Sequence, residues 1–360
     1  MSRDTMSLQL TLNKIKAHTN SMILDCTIRD GSYATGNRWD RDALRMIVEQ
    51  LSAQGIQYIE IGNGTGLGTY RKKTSAMSDE EYFASTLPYK GNSKIGAFFI
   101  PTIGTKEDLR NFREKGGDFV RIGANATEIG TTFEYIRYAK ELGFFVCCNV
   151  MKTYAITKFQ LVDISLKSRD NGADCIYIVD SAGGMLPEQI KQYVEAIQAF
   201  SDIKVGFHGH NNLLMANANS LAALQAGAYF ADATLLGIGR GAGNAQLESL
   251  VAVCKKAGMD KGQCNALQIA DLAQQVLGFM HLKGSTKREI NVGLQNFHDS
   301  YAPILERVAM KYAINPEVLM EEVCKINIIN PSEELFEYAA STIKEGRKVT
   351  FIPNYSHHQF

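Results

Sequence analysis

No imbalance of charge marks this 360-residue chain: Lys+Arg and Asp+Glu both number 38, so the formal net charge is zero. Without a basic excess or a clustered basic run, there is no electrostatic footprint for nucleic acid. No run of about 18 apolar residues occurs, so no transmembrane helix and no membrane partner are expected. Residues Met1 to Asn20 mix polar and apolar side chains and lack an apolar signal core with a cleavage site. The seven cysteines are an odd number, and none forms a Cys-x-x-Cys pair. Cys147, Cys148 and Cys175 lie in apolar, strand-like runs, so the expectation is reduced, buried thiols in a cytoplasmic protein. Internal repeats and low-complexity linkers are also missing.

What is present is a cadence. Eight apolar runs read as strands: Ile23–Asp30, Tyr58–Asn63, Lys94–Pro101, Phe119–Asn125, Phe144–Lys152, Cys175–Asp180, Lys204–His210 and Phe230–Gly239. Most are continuously apolar rather than alternating, as suits strands of a parallel sheet buried on both faces. Helical spacing marks Asp40–Gln54, Thr127–Leu142, Thr157–Asn171, Pro187–Phe200, Leu214–Ala226 and Leu247–Ala257, several of them followed by a glycine that can stop a helix. The pattern predicts an α/β fold, a closed (β/α)8 TIM barrel over residues 22–260, after an N-terminal extension, 1–21. A smaller, mostly helical C-terminal region, 261–360, follows, with Asn265–Leu282, Ser300–Ala313 and Pro316–Ile326 as its best helices. An open doubly wound sheet would carry a phosphate-binding glycine turn after its first strand. Here that turn is Arg29-Asp30-Gly31-Ser32-Tyr33.

Functional residues of such a barrel gather at the C-terminal ends of its strands. Reading those ends gives Arg29, Asp30, Glu60, Asn63, Arg121, Asn125, Asn149, Asp180, Ser181, His208, His210 and the stretch Gly239 to Asn244. His208 and His210 stand two apart on one strand and therefore point the same way. With Asp30 from the first strand they make a two-histidine, one-carboxylate set with open coordination positions. Non-haem iron oxygenases use such a set too, but the adjacent Arg29, always charged and planar, suits a carboxylate or enolate oxygen. Otherwise Arg29 forms a structural ion pair with Glu60 or Asp180. The glycines of Gly237-Ile-Gly-Arg-Gly-Ala-Gly-Asn244 allow close backbone approach; a phosphate cradle lacks its Gly-Lys-Ser/Thr, and the preferred reading is a loop presenting Asn244 to the metal or the substrate. The basic cluster Tyr70-Arg71-Lys72-Lys73 either meets an anionic substrate or is a solvated surface.

Asp-x-Thr-x-Arg-Asp-Gly at residues 25–31, His208-Gly-His210 and Gly241-Ala-Gly-Asn-Ala245 together resemble the hydroxymethylglutaryl-CoA lyase and isopropylmalate synthase superfamily. Gly62–Gly68, Ile100–Leu109, Arg121–Glu128, Asp180–Met185 and Gly239–Glu248 are similar to the 4-hydroxy-2-oxovalerate aldolase branch. The resemblance runs through the barrel and weakly into the C-terminal helices. It implies a lyase, a class II pyruvate aldolase that cleaves or forms a 4-hydroxy-2-oxo acid, with pyruvate and an aldehyde as the other partners. Mn²⁺ or Mg²⁺ would be held by Asp30, His208 and His210. Arg29 would stabilise the enolate oxygen, and Arg29, Asn149, Asp180, Ser181 and Asn244 would bind substrate.

The chain departs from the family at the proton-transfer residues. A family histidine is replaced by Tyr33, and a family tyrosine of the helical region by His298, so the two types are exchanged and the expectation is that Tyr33 and His298 share proton transfer. Otherwise Tyr33 lines the pocket and His298 is a surface residue. Asn125, Ala126 and the Asn149-Val-Met-Lys152 segment also differ, which points to an aldehyde other than acetaldehyde. Two other readings stay open: an acyl-CoA-dependent Claisen-type condensing enzyme or lyase, and a partner-binding homologue with a decayed site. The resemblance further implies an acylating aldehyde dehydrogenase partner, and it leaves homo-oligomerisation open.

Overall fold

The computed structural model describes residues 22–72, 76–259, 264–280, 285–346 and 349. The N-terminal extension, Lys73 and residues 350–360 lie outside the described residues. Eight parallel strands close a barrel in sequence order: β1 Met22–Asp25, β2 Tyr58–Ile61, β3 Lys94–Phe99, β4 Phe119–Asn125, β5 Phe145–Met151, β6 Cys175–Asp180, β7 Lys204–Gly209 and β8 Phe230–Ala233. The barrel shuts where β8 pairs with β1, from Met22↔Phe230 to Asp25↔Ala233. That closure sets the first and seventh strand ends, the two motifs of interest, on either side of β8.

Each expected strand is present, but β1 and β8 are shorter than their apolar runs. The chain leaves the β1 ladder after Asp25, keeps one further bond from the Cys26 amide to the Ala233 carbonyl at 2.9 Å, and winds into a 3-10 turn, Asp30–Tyr33. After β8 it turns at Leu235–Gly237. At both places hydrophobicity continues past the hydrogen bonding because the loops themselves are buried.

Helix α1, Arg41–Ala53, starts where Asp40 accepts bonds from the Asp42 and Ala43 amides. Two helices not singled out by spacing, α2 Asp79–Thr86 and α3 Lys106–Glu114, are each opened by a capping box, Ser78 with Glu81 and Thr105 with Asp108. The run expected as one helix, Thr127–Leu142, is a 3-10 segment, Ala126–Thr132, followed by α4, Phe133–Glu141. There Thr131 and Thr132 turn their hydroxyls onto the carbonyls three residues back, which competes with α-helical pairing. The barrel helices are completed by α5 Lys158–Asp170, α6 Pro187–Phe200, α7 Ala216–Gln225 and α8 Leu247–Lys256. Gly55, Gly143, Gly172, Gly227 and Gly258 follow helices at φ between 70° and 102°, the left-handed region they were expected to supply.

Inside the barrel, Leu24, Phe119, Cys147, Tyr177 and Phe230 belong to one buried layer. Between strands and helices lies a larger core that includes Ile59, Phe112, Ile176 and Leu250. Helix α9, Ala266–Leu277, packs Ile269, Leu272 and Val276 into that larger core. Helices α10 Lys287–Gln295, α11 Ala302–Tyr312, α12 Pro316–Cys324 and α13 Glu333–Lys344 build a core of their own around Leu305, Leu319 and Phe336. Of these, α10 and α13 carried no marked signal in the sequence. All seven cysteines are free, with Cys147, Cys148 and Cys175 buried as expected. No helix of the described residues is long and apolar enough to cross a membrane.

Candidate active site

At the end of β1, Asp25 accepts from the Thr27 amide and hydroxyl, 3.1 and 2.6 Å, and Thr27 in turn accepts from the Leu235 amide at 2.8 Å. This clasp fixes the segment that carries Arg29 and Asp30. Asp30 meets His208 and His210 from β7 and its following residue, and one ligand atom from each of the three side chains lies within 4.8 Å of the others. All three are buried.

The surroundings orient these groups. The His208 Nδ1 faces the Asp232 carboxylate at 2.9 Å, and the His210 Nδ1 faces the Gly243 carbonyl at 3.3 Å. Acceptors on both Nδ1 atoms hold the protons there and leave each Nε2 with its lone pair, the arrangement common around ligating histidines. Asp30 accepts from Arg29 Nη1 through Oδ1 and from Asn244 Nδ2 through Oδ2, each at 2.5 Å. Burial alone would raise the Asp30 pKa, but Arg29, His210, His208 and Asn244 outweigh it and hold the carboxyl well below its usual range. Burial pushes the His210 imidazole down to about 3, against the pull of Asp30. An ionised carboxylate and a neutral imidazole are the forms a divalent cation needs.

Arg29 donates through Nε to Glu60 at 2.7 Å and lies 5.0 Å from the Phe98 ring centre. The ion pair with Glu60 weighed from sequence is therefore present. Asp180 is not a partner of Arg29: its carboxylate accepts from the Gly184 and Met185 amides at 3.2 and 3.0 Å. Arg29 Nη2 has no protein partner among the described residues. Ser181 Oγ accepts from the Lys152 amide at 3.0 Å, so Asp180 and Ser181 both brace backbone. Asn149 on β5 is buried with Oδ1 unpartnered, as are the Asn244 Oδ1 and both side-chain polar atoms of Asn63. Buried amide atoms without partners are costly, and their concentration at one barrel mouth marks a place for a polar ligand.

Tyr33 and His298 meet the same side chain. The Arg240 guanidinium carbon lies 4.2 Å from the Tyr33 ring centre, and its Nη1 is 3.4 Å from His298 Nε2. His298 is half-buried rather than a surface residue, with Nδ1 2.6 Å from the Ser300 hydroxyl, an acceptor that would hold the proton on Nδ1 and leave Nε2 its lone pair. Burial, then Arg240, Lys152 and His210, push its imidazole well below the ordinary histidine value. Burial pushes the Tyr33 phenol up, with Arg240 opposing. The Tyr70–Lys73 cluster is partly committed elsewhere, since Arg71 pairs with Asp108 at 2.6 Å.

Asp232 was missed in the sequence. It sits in β8, with Oδ2 engaged by His208 and by Arg121 Nη1 at 2.5 Å and Oδ1 buried without a partner, while Arg121 Nε lies 3.4 Å from Glu60. Its signal was a lone carboxylate inside the apolar run Phe230–Ala233, which burial makes costly unless paired. Cys26, His208 and Asp232 also cluster tightly enough to hold a metal. Arg121 already neutralises Asp232, however, and burial raises the Cys26 thiol well above its ordinary value.

The HMGL-like family model matches residues 116–276. A 4-hydroxy-2-oxovalerate aldolase of Carboxydothermus hydrogenoformans is 33% identical over 330 residues, covering 91% of this chain and 98% of that protein. An oxaloacetate decarboxylase of Mycobacterium tuberculosis is 41% identical over 242 residues, 67% of this chain and 72% of that protein. Among solved structures, the carboxyl transferase domain from Rhizobium etli pyruvate carboxylase superposes with a TM-score of 0.74 at 16% identity, covering 94% of this chain and 63% of that one, a similarity of fold alone.

Proposed function

Because the chain belongs to the 4-hydroxy-2-oxovalerate aldolase family, and is a lyase of the pyruvate-aldolase type, we propose that Asp30, His208 and His210 hold a divalent cation, Mn²⁺ or Mg²⁺, at which a 4-hydroxy-2-oxo acid is cleaved or formed. The observation that carries this reading is the convergence of three ligand atoms within 4.8 Å beside an arginine with a free edge. The residues fit the ion: one carboxylate held ionised, two imidazoles anchored through Nδ1, and the unpartnered Asn244 Oδ1 close by. When bound, the cation supplies Lewis acidity at the 2-oxo group of the substrate.

The protein's own groups do the rest. Arg29, fixed by Glu60 and Asp30, directs Nη2 at the oxygen that gains charge as the C3–C4 bond breaks. Asn149 and Asn244 offer their unpartnered amide oxygens as acceptors, to the cation or to a hydroxyl of the bound 2-oxo acid. His298, kept neutral by burial and by the cations around it, accepts the proton of the 4-hydroxyl at Nε2. Tyr33, whose phenol keeps its proton, orients that hydroxyl. Asp180 and Ser181 act through the backbone they brace. The aldehyde partner and a dehydrogenase that consumes it belong to the same proposal.

The test is incubation with Mn²⁺ and a panel of 4-hydroxy-2-oxo acids while pyruvate is followed. Metal binding without pyruvate from any of them would sink the aldolase reading. A second reading, oxaloacetate decarboxylation, is favoured by the 41% identical relative. It passes through the same enolate but has no 4-hydroxyl proton to remove, so it would leave His298 idle.

A further inference from the structure

Arg240 has no place in the metal centre. Its guanidinium lies over the Tyr33 ring at 4.2 Å, with Nη1 3.4 Å from His298 Nε2. A guanidinium has five N–H donors, more than one ring and one imidazole can engage. Among the described residues, no carboxylate comes within ion-pair distance of it. The acids nearby are engaged elsewhere. Asp30 is held by Arg29 and Asn244. Asp299, which lines the same cleft, faces Arg288 at 3.7 Å. Glu128 accepts from Asn125 and Asn330 at 3.2 and 2.9 Å.

A second cation stands close by. Lys152 is 2% exposed, and neutral oxygens receive its ammonium: the Ile329 carbonyl, the Tyr301 hydroxyl at 3.3 Å and Asn330 Oδ1 at 3.5 Å. Arg240 and Lys152 act on one another and jointly on His298. Glu128 lies within electrostatic reach of Lys152, but no acid pairs with Arg240, and a half-buried guanidinium beside a second cation favours an anion that joins it. On the Arg240 side, away from Lys152, lies a cleft of 880 Å³ lined by Tyr33, Arg240, Asn244 and Ser300, so there is room for an anion against Arg240. Arg29 and the triad already account for the carboxylate and oxo group of the pyruvate half. Arg240 instead stands with Tyr33 and His298, the pair assigned to the 4-hydroxyl.

Resting on the oxo-acid reading above, we propose that Arg240 is a specificity residue that receives a second carboxylate on the far side of C4, so that the preferred substrates are dicarboxylic 2-oxo acids. Cleavage of such a 4-hydroxy acid yields pyruvate and an aldehyde that itself carries a carboxylate. Oxaloacetate, with its second carboxylate at C4, falls in the same class.

Two ligands of equal chain length decide the matter by calorimetry on the Mn²⁺-loaded protein: 2-oxoglutarate, ending in a carboxylate, and 2-oxopentanoate, ending in a methyl. Neither has a 4-hydroxyl, so binding is read without turnover. Wild type is expected to bind 2-oxoglutarate about tenfold tighter or more, the scale of a charge-assisted pair. In Arg240→Ala the ratio falls to within about twofold of unity, and Arg240→Lys restores part of it. Equal binding of both ligands by wild type overturns the inference alone, as does a preference that survives in Arg240→Ala. Failure of both ligands to bind wild type overturns the oxo-acid reading and the inference with it. Because wild type alone can refute the inference, an unfolded variant does not shield it.

Discussion

Asp232 reaches the candidate metal ligands without being one of them. Its Oδ2 takes the His208 Nδ1 at 2.9 Å and the Arg121 guanidinium at 2.5 Å, so it both orients an imidazole and neutralises a buried cation. Asp232→Asn keeps the shape but removes the charge that holds His208 in one tautomer. The expected result is Mn²⁺ affinity about 10–100-fold weaker by calorimetry, with the apo protein still folded; unchanged affinity would remove Asp232 from the site. His298 is tested by splitting two reactions. His298→Ala should lower kcat for aldol cleavage by about 10²–10⁴, while any oxaloacetate decarboxylation the wild type shows stays within about twofold, because only the first reaction has a hydroxyl proton to take. Equal loss in both would mean that His298 shapes the pocket rather than moves the proton. Asp25 is a purely structural case. Burial raises its carboxyl to about 7, against the bonds from Thr27. Between pH 4 and pH 7 the unfolded chain has lost that proton and the folded chain has kept it, so folding stability falls as pH rises through the window. Asp25→Asn should therefore gain stability relative to wild type from pH 4 to pH 7, at about 1.4 kcal/mol per unit, read from urea melts. A difference that does not vary with pH would contradict this account of the Asp25 environment.

At the scale of the strands, two glycines make the barrel interior possible. A Cβ on Gly96 of β3 would come within 2.1 Å of the Phe119 ring, and one on Gly206 of β7 within 2.5 Å of Tyr177. Both rings fill the barrel's inner layer and cannot swing away. Gly96→Ala should cost about 1–3 kcal/mol in chemical denaturation, with little change in metal affinity because the clash lies in the inner layer rather than at the triad. Such glycines were visible in the sequence but not interpretable, since nothing local says which ring lies opposite. The strands themselves were legible, because continuous apolar runs such as Phe119–Asn125 and Cys175–Asp180 leave little alternative to buried parallel strands. So were Asp30, His208 and His210, because strand ends and a two-residue period place them. Helices α2, α3, α10 and α13 were harder, being short or charged, and their starts depend on capping bonds rather than on an apolar stripe. Asp232 was hidden for the opposite reason: its partners, Arg121 and His208, come from β4 and β7, and pairing of that kind is created only by closing the barrel.

For the whole molecule, the proposed proton-transfer pair is an assembly of two cores. Tyr33 and Arg240 belong to loops of the barrel, whereas His298 precedes α11 in the C-terminal region. Besides the close approach of Gly184 and Leu213 to Gly293, a small polar seam joins the regions. Asn330 accepts from Asn125 Nδ2 at 2.9 Å and from the Tyr301 hydroxyl at 3.1 Å, and donates to Glu128 at 2.9 Å. Lys152 adds its bonds to the Ile329 carbonyl and Tyr301, from a backbone held at φ 59°, a left-handed conformation costly for a lysine. That strain aims the ammonium at the seam. Asn330→Ala removes four bonds at the seam, to Asn125, Tyr301, Glu128 and Lys152, and none at the triad or in either core. Metal affinity should stay within about twofold of wild type, whereas kcat for aldol cleavage falls about tenfold or more as His298 loses its fixed distance to Arg240. Amide exchange should rise across residues 298–301, where the 3-10 turn rests on the seam. Any decarboxylation of oxaloacetate by the wild type, which would not call on His298, should be spared. If metal affinity fell in step with cleavage, the seam would be supporting the barrel itself; if exchange and cleavage both stayed unchanged, the C-terminal region would hold His298 in place by its apolar packing alone.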